Sequence, residues 1–198
     1  MRVLVACEFS GVVREAFKRR GHHAVSCDYE NTTTPGNHYK GNVLDIIQDD
    51  WDLMIAFPPC TYLTVSGNRW MDNPERQQKR EEALNFVKLL LDAPIDKIAL
   101  ENPVGVISSR IRKPDQIIHP YQFGEPYEKR TCLWLKNLPK LTATNIVEPK
   151  PKIQLPSGKM MSAWYAETAN RTKSKRASIR SITFQGIADA MADIWGNQ

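Results

Sequence analysis

Apolar residues in this chain fall into short unbroken runs separated by stripes of helical spacing. RVLVAC (2–7) is one such run. GVVREAFKRRG (11–21) follows it with Val12, Val13, Ala16 and Phe17 at helical spacing, basic residues in the last turn and Gly21 as a C-terminal stop. HHAVSCD (22–28), WDLMIAF (51–57) and KIALENP (97–103) are further runs, apolar enough to be buried on both faces of a mostly parallel sheet. Between the last two, Asn73 and Pro74 open a helix whose Ala83, Leu84, Val87, Leu90 and Leu91 form one apolar stripe. TCLWLKN (131–137) predicts another strand and FQGIADAMADIW (184–195) a closing amphipathic helix. Strands alternating with helices predict an α/β, doubly wound, Rossmann-like fold with helices on both faces of the sheet.

The stretch from Pro139 to Arg180 breaks this rhythm, being rich in Pro, Lys, Ser and Thr and weakly periodic. It predicts a loop or small subdomain inserted before the last helix, which divides the chain into a main domain (1–138), a small basic insert (139–180) and a returning C-terminal helix (181–198). Charge sharpens that division. The chain carries +5 overall, yet residues 149–180 alone hold +7, with eight Lys and Arg against Glu167. At 198 residues the chain is long enough to bury a core without staples. The four cysteines, Cys7, Cys27, Cys60 and Cys132, form no CxxC pair, which argues against a zinc site and against a disulfide framework. No apolar stretch approaches a membrane span, and the N-terminus does not read as a signal peptide, so the expected location is the cytoplasm.

Ligands of parallel α/β sheets bind beyond the carboxyl ends of the strands, so the residues just after each run come first. They are Glu8-Phe9-Ser10-Gly11, Asp28, Pro58-Pro59-Cys60 and Glu101-Asn102-Pro103. Gly11 allows a tight turn into a helix whose N-terminus offers free amides, and Asp28 is placed to accept hydrogen bonds from both hydroxyls of a ribose. Taken alone, the same residues make equally well a plain strand–helix turn and a capping aspartate. Phe57-Pro58-Pro59-Cys60 is more informative, because two prolines fix the backbone and present a thiol at the sheet rim. A free thiol titrates near ~8.5, so nearby cations and amides are needed to make it a nucleophile at neutral pH. Glu101 ends a run otherwise fit for burial, where a carboxyl has a raised pKa and can donate a proton. Cys60 and Glu101 together make a nucleophile and an acid.

At these residues the sequence resembles the cytosine-5 DNA methyltransferases. FSG (Phe9, Ser10, Gly11) is similar to their cofactor loop, Asp28 to the ribose-binding acid, and Gly41-Asn42-Val43 to the segment that contacts adenine. FPPC (57–60) resembles the nucleophile motif, ENP (101–103) the Glu-Asn motif, PYEKRTCLWL (126–135) the basic motif before a strand, and QGIADAMA (185–192) the helix that returns to the cofactor.

The resemblance implies S-adenosylmethionine as cofactor, held by Phe9, Ser10, Gly11, Asp28, Asn42 and Pro58. It implies a Cys60 thiolate that adds to carbon 6 of cytosine while Glu101 holds or protonates ring nitrogen 3, so that carbon 5 takes the methyl group. Lys129 and Arg130 are expected to orient the base or its phosphates, and Asn102 to hold the Pro-Cys loop. The family carries a substantial target-recognition region where this chain has only residues 139–180, so recognition is expected to be short or loose. The basic composition of that insert, with Trp164, Lys173, Lys175 and Arg176, suits phosphate neutralisation and base stacking. TYLTVSGNRWMD (61–72), with Arg69 and Trp70, reads either as a lid over an extruded base or as an ordinary anchored loop. The expected partner is double-stranded DNA, met by a monomer in a bacterial or phage-infected cell. Two other readings stand beside this: the same chemistry on RNA, single strands or a free cytosine nucleotide, and a catalytically silent nucleic-acid-binding module.

Overall fold

The computed structural model describes residues 1–198. In chain order the elements are β1 (Arg2–Ala6), α1 (Val12–Arg19), β2 (His23–Asp28), β3 (His38–Lys40), β4 (Leu53–Ala56), α2 (Pro74–Leu91), β5 (Lys97–Pro103), α3 (Ile107–Arg110), β6 (Gln116–Ile118), β7 (Thr131–Lys136), β8 (Ile153–Gln154), β9 (Met160–Met161), α4 (Ala163–Ala169), α5 (Lys173–Ser181) and α6 (Gln185–Trp195). Seven strands form one sheet in the order β3-β2-β1-β4-β5-β7-β6. β1 pairs in parallel with β2 and β4, β2 with β3, and β4 with β5, whereas β7 runs antiparallel to both β5 and β6. The direction of winding reverses between β1 and β4, which opens a crevice at their carboxyl ends. The fold is a Rossmann-like, mostly parallel sheet with helices on both faces.

Successive residues of a strand point to opposite faces, and each strand here feeds two cores. Val3 and Val5, Leu53 and Ile55, Ala99 and Leu133 face α1 and α6, where they meet Phe17, Met191 and Trp195. Leu4 and Ala6, Met54 and Ala56, Ile98 and Leu100, Cys132 and Trp134 face α2 and meet its Leu84, Val87 and Leu90. This double burial explains why the central runs are continuously apolar instead of alternating. Each fully buried Val, Leu or Ile contributes roughly 1.5–3 kcal/mol relative to exposure. Asn73 starts α2 by accepting a hydrogen bond from the Arg76 amide through its side chain, with Pro74 in the first turn.

β3, β6 and α3 span three, three and four residues, too short to show a periodicity. The basic insert contains the two-stranded β8–β9 hairpin and the helices α4 and α5. α5 buries no residue and is held by polar contacts instead. Arg180 donates to the Thr168 hydroxyl (2.8 Å) and the Tyr165 carbonyl (2.9 Å), and Arg176 to the Ala169 carbonyl (3.0 Å). These guanidinium groups satisfy the carbonyl end of α4, where positive charge is favoured. Lys129, just before β7, donates to the Arg180 carbonyl (3.1 Å) and so ties the far end of α5 to the sheet. No helix is long and apolar enough to cross a membrane.

Trp195 closes the α1–α6 side: it is fully buried, and its indole N–H donates to the Pro139 carbonyl (2.9 Å) just beyond β7. Trp195→Ala is expected to lower unfolding free energy by about 3–5 kcal/mol in urea titrations, the usual cost of an aromatic-sized cavity. A loss under about 1 kcal/mol would show that α6 does not close the core.

Candidate active site

A cleft of about 870 Å³ lies over the carboxyl ends of β1, β2, β4 and β5. α5 and the start of α6 form its far wall through Ser174, Lys175, Ser178, Arg180 and Ile187. On its β4–β5 side are Cys60, Glu101, Asn102, Lys129 and Thr131; on its β1–β2 side are Glu8, Phe9, Ser10, Asp28, Asn31 and Thr33.

Cys60 follows β4 on a loop that is tied to the segment after β5. Asn102 is buried and donates through its side-chain amide to the Pro58 carbonyl (2.8 Å). Farther along, the Val106 amide donates to the Leu63 carbonyl (2.8 Å), and Thr64 bridges Gly105 in antiparallel register. The approach is so close that a Cβ on Gly105 would lie 2.0 Å from the Leu63 carbonyl oxygen. Only glycine fits this strap. The loop then turns back on itself, with the Leu63 and Thr64 amides both donating to the Cys60 carbonyl.

Glu101 is enclosed by protein, with part of its surface open to the cleft, and burial raises its carboxyl pKa while Lys129 opposes the rise. No hydrogen bond offsets that burial. A carboxyl so placed holds a proton more readily than an exposed one and can donate it. Burial also raises the Cys60 thiol, the Glu101 charge raises it further, and Lys129 lowers it. Lys129 therefore acts on both groups. The Oδ1 of Asn102, buried at the cleft wall, has no hydrogen-bond partner in the protein.

The β1–β2 side corrects one sequence expectation. The amides at the N-terminus of α1 are not free. Cys7 turns the chain at φ 58°, and the Glu8 carboxylate lies under the first turn of α1. Glu8 accepts from the Val13 amide (2.7 Å), the Arg14 amide (3.2 Å) and the Ser10 hydroxyl (3.1 Å), while the Ser10 oxygen accepts from the Val12 amide (3.3 Å). Burial raises the Glu8 pKa, and the two amides oppose it. With those amides used and a carboxylate in their midst, this helix end cannot cradle a phosphate in the manner of dinucleotide-binding folds. Asp28 accepts the Glu30 amide through one oxygen (3.0 Å), and its other oxygen has no protein partner. Ile187 and Met191 of α6 supply apolar surface to the cleft.

Among the residues singled out from the sequence, the cleft gathers Cys60, Glu101, Asn102, Lys129, Phe9, Ser10, Asp28, Pro58 and Lys175. Gly11, at φ 75°, caps α1 beside the cleft without lining it. The remaining candidates lie elsewhere. Arg130 is exposed, and its charge acts on Cys132 and His119 instead. Asn42 caps its own helical turn by accepting the Leu44 amide. Arg69 is exposed and stacks on Trp70, 4.9 Å from the ring centre. The segment that bears it is anchored by Arg80, which donates to the Tyr62 carbonyl and the Asn68 side chain. Trp164 packs against Phe184 and Tyr127, with ring centres 4.8 and 5.2 Å away, and does not line the cleft. Lys173 is exposed outside it, and Arg176 is committed to the Ala169 carbonyl. Sequence reasoning set Glu8 on the rim without giving it a role, and it counted Arg180 only as part of the basic insert. Glu8 carried the same signal as Glu101, an acid at the end of an apolar strand, whereas α5 has no apolar stripe to announce it.

The cleft is electrostatically two-sided. Glu8, Asp28 and Glu30 line its β1–β2 side with no Lys or Arg among them, and Lys129, Lys175 and Arg180 line the other, with Glu101 the one acid. No cluster of three or more His, Cys, Asp or Glu is arranged to hold a metal ion. The fold and this cleft define a Rossmann-like α/β protein with an open site at the carboxyl ends of its parallel strands. No protein-family model matches the chain, and no curated protein matches it. Among solved structures it is similar to a crystal structure of a mutant Spodoptera frugiperda DNMT2, at 19% identity and TM-score 0.44, covering 76% of this chain and 55% of that one. It is also similar to WbdD co-crystallised with a kinase inhibitor, at 14% identity and TM-score 0.43, covering 77% of this chain and 39% of that one. Both likenesses are remote, and the chain spans little more than half of the first and well under half of the second.

The charges around Cys60 predict its reactivity. Glu101→Gln removes a charge that raises the thiol pKa, so alkylation of Cys60 by iodoacetamide at pH 7.5 should quicken. Lys129→Met removes the charge that lowers it and should slow the reaction. Peptide mass spectrometry reads both rates; no change in either would mean that neither group acts on the thiol.

Proposed function

We propose that the chain is an S-adenosylmethionine-dependent methyltransferase that methylates carbon 5 of cytosine in DNA. The observation that carries this reading is the placing of Cys60 and Glu101 at the ends of adjacent strands in one cleft, with Lys129 acting on both. A thiol nucleophile beside a buried acid suits addition to a ring that must be protonated to accept it.

The cofactor side supports the same reading. A phosphate-free adenosine derivative carrying positive charge matches Glu8, Asp28 and Glu30, none of which would welcome a pyrophosphate. Asp28 would hold the ribose hydroxyls through its free oxygen, Phe9 and Ser10 the neighbouring chain, and Ile187 and Met191 the apolar surface. When bound, S-adenosylmethionine supplies the methyl group as an electrophile and leaves as the neutral thioether. Cys60 forms a bond from sulfur to carbon 6, and Glu101 protonates or hydrogen-bonds nitrogen 3, so that electron density builds on carbon 5. Methylation there is followed by loss of the carbon 5 proton to a base and by breaking of the sulfur–carbon 6 bond, which restores the thiolate while nitrogen 3 returns to Glu101 any proton it had received. Asn102 and Pro58 keep the Cys60 loop in place, and the unpartnered Oδ1 of Asn102 is free to take a hydrogen bond from a ligand amino group.

The basic side suits a polynucleotide. Lys175 and Arg180 stand at the cleft wall, and Lys159, Arg171 and Lys173 on the same insert have no acidic partner, whereas Lys150 and Lys152 pair with Glu167 and Glu128. With α5 forming a wall of the cleft, a base reaches Cys60 as an extruded or unpaired nucleotide. The unpaired case would admit single strands or RNA, so the test covers both acids.

Nucleosides from DNA and RNA of cells expressing the protein are to be compared by mass spectrometry with those from cells expressing Cys60→Ala. The proposal expects 5-methylcytosine in DNA with the wild type and none above background with the variant. Enrichment confined to RNA would move the substrate, and no enrichment in either would refute the activity.

A further inference from the structure

We infer that Arg14 is a positioning residue that assembles the cofactor side of the cleft, an inference that rests on the proposed cofactor. Arg14 sits in the first turn of α1, yet it is fully buried. A buried guanidinium is costly unless every donor finds an acceptor. Here its Nε donates to Glu15 (2.8 Å), one terminal nitrogen to the hydroxyls of Ser26 (2.9 Å) and Thr32 (3.3 Å), and the other to the carbonyls of Thr34 (2.6 Å) and Pro35 (3.3 Å). One side chain thus joins α1, β2 and the segment that connects β2 to β3.

That connecting segment forms the outer wall of the cofactor side. Glu30, Asn31 and Thr33 line the cleft, and Thr33 is laid against the β1–α1 turn: its amide donates to the Phe9 carbonyl (2.9 Å) and its hydroxyl to the Ser10 carbonyl (3.2 Å). The Thr34 hydroxyl also donates to Ser10 (2.8 Å). Arg14 grips the same segment from behind. Two glycines leave room for it: a Cβ on Gly11 would lie 2.6 Å from an Arg14 terminal nitrogen, and one on Gly36 would lie 2.7 Å from that nitrogen. Because five hydrogen bonds hold the guanidinium, it cannot swing aside to admit either methyl group.

Lysine carries the charge without the planar fork and cannot reach all of these acceptors. Arg14→Lys should therefore loosen residues 29–37 while leaving Cys60, Glu101 and the basic wall untouched. Gly36→Ala presses on the guanidinium from outside the cleft and should act in the same direction without altering a buried charge. S-adenosylmethionine is titrated into each protein by calorimetry, and amide exchange of residues 29–37 is followed alongside. The expected result is a Kd weakened about tenfold or more in both variants, a matching rise in cofactor KM, and kcat at saturating cofactor within about threefold of wild type. Exchange of the Thr33 amide should quicken in both.

Wild-type affinity and unchanged exchange in a folded Gly36→Ala or Arg14→Lys protein would overturn the inference. So would a fall in kcat with the cofactor KM unmoved. If the wild type itself fails to bind S-adenosylmethionine, the proposed function falls first and this inference with it.

Discussion

The hydrogen bond from the Asn102 side chain to the Pro58 carbonyl ties the loop that leaves β4 to the end of β5, and the site depends on that tie. Pro58 and Pro59 have no amide hydrogens, so the chain leaving β4 cannot continue the ladder with β5. The buried amide of Asn102 supplies the missing link at 2.8 Å. Beyond it, the contact between Gly105 and Leu63 repeats the attachment, and Cys60 lies between the two ties. Glu101 precedes Asn102 in the same strand. The buried acid and the clamp on the Cys60 loop are therefore adjacent residues, and displacement of either changes the other.

Around that centre the cleft separates charge by element. The ends of β1 and β2 contribute acids, while the segment leading into β7 and α5 contribute bases, and Lys129 lies where the two meet Glu101. Lys129 has three effects: it lowers the Cys60 thiol, it opposes the rise of the Glu101 carboxyl, and through the Arg180 carbonyl it holds α5 against the sheet. The basic wall and the electrostatics around Cys60 are thereby coupled through one ammonium group.

The parts of the sheet that bury both faces were legible in the sequence, because Val3 to Ala6, Leu53 to Ala56 and Ile98 to Leu100 have to be apolar throughout. Cys60 stood out through the paired prolines before it and Glu101 as an acid in a run otherwise fit for burial, whereas the part of Asn102 came only with the family resemblance. Three features were hidden. Arg14 reads as an exposed helical residue, since only the tertiary arrangement of Ser26, Thr32, Thr34 and Pro35 makes its burial tolerable. α5 shows no apolar periodicity because it is held by Arg176, Arg180 and Lys129 rather than by a greasy face. The α1 amides, expected to be free, are occupied because Glu8 folds under the helix after the left-handed turn at Cys7. Trp164, expected among the basic residues as a stacking surface, packs in an aromatic cluster with Tyr127 and Phe184 and does not line the cleft.

The proposed reaction requires a covalent bond between Cys60 and the pyrimidine, and that bond can be trapped. A 5-fluorocytosine oligonucleotide with S-adenosylmethionine lets addition and methylation proceed but leaves no proton on carbon 5 to remove, so the adduct cannot resolve. A denaturant-stable complex of protein and oligonucleotide is expected by intact mass, with the modified peptide containing Cys60 and no complex from Cys60→Ser. No complex with the wild type on either duplex or single-stranded oligonucleotide, or one that survives Cys60→Ser, would contradict it.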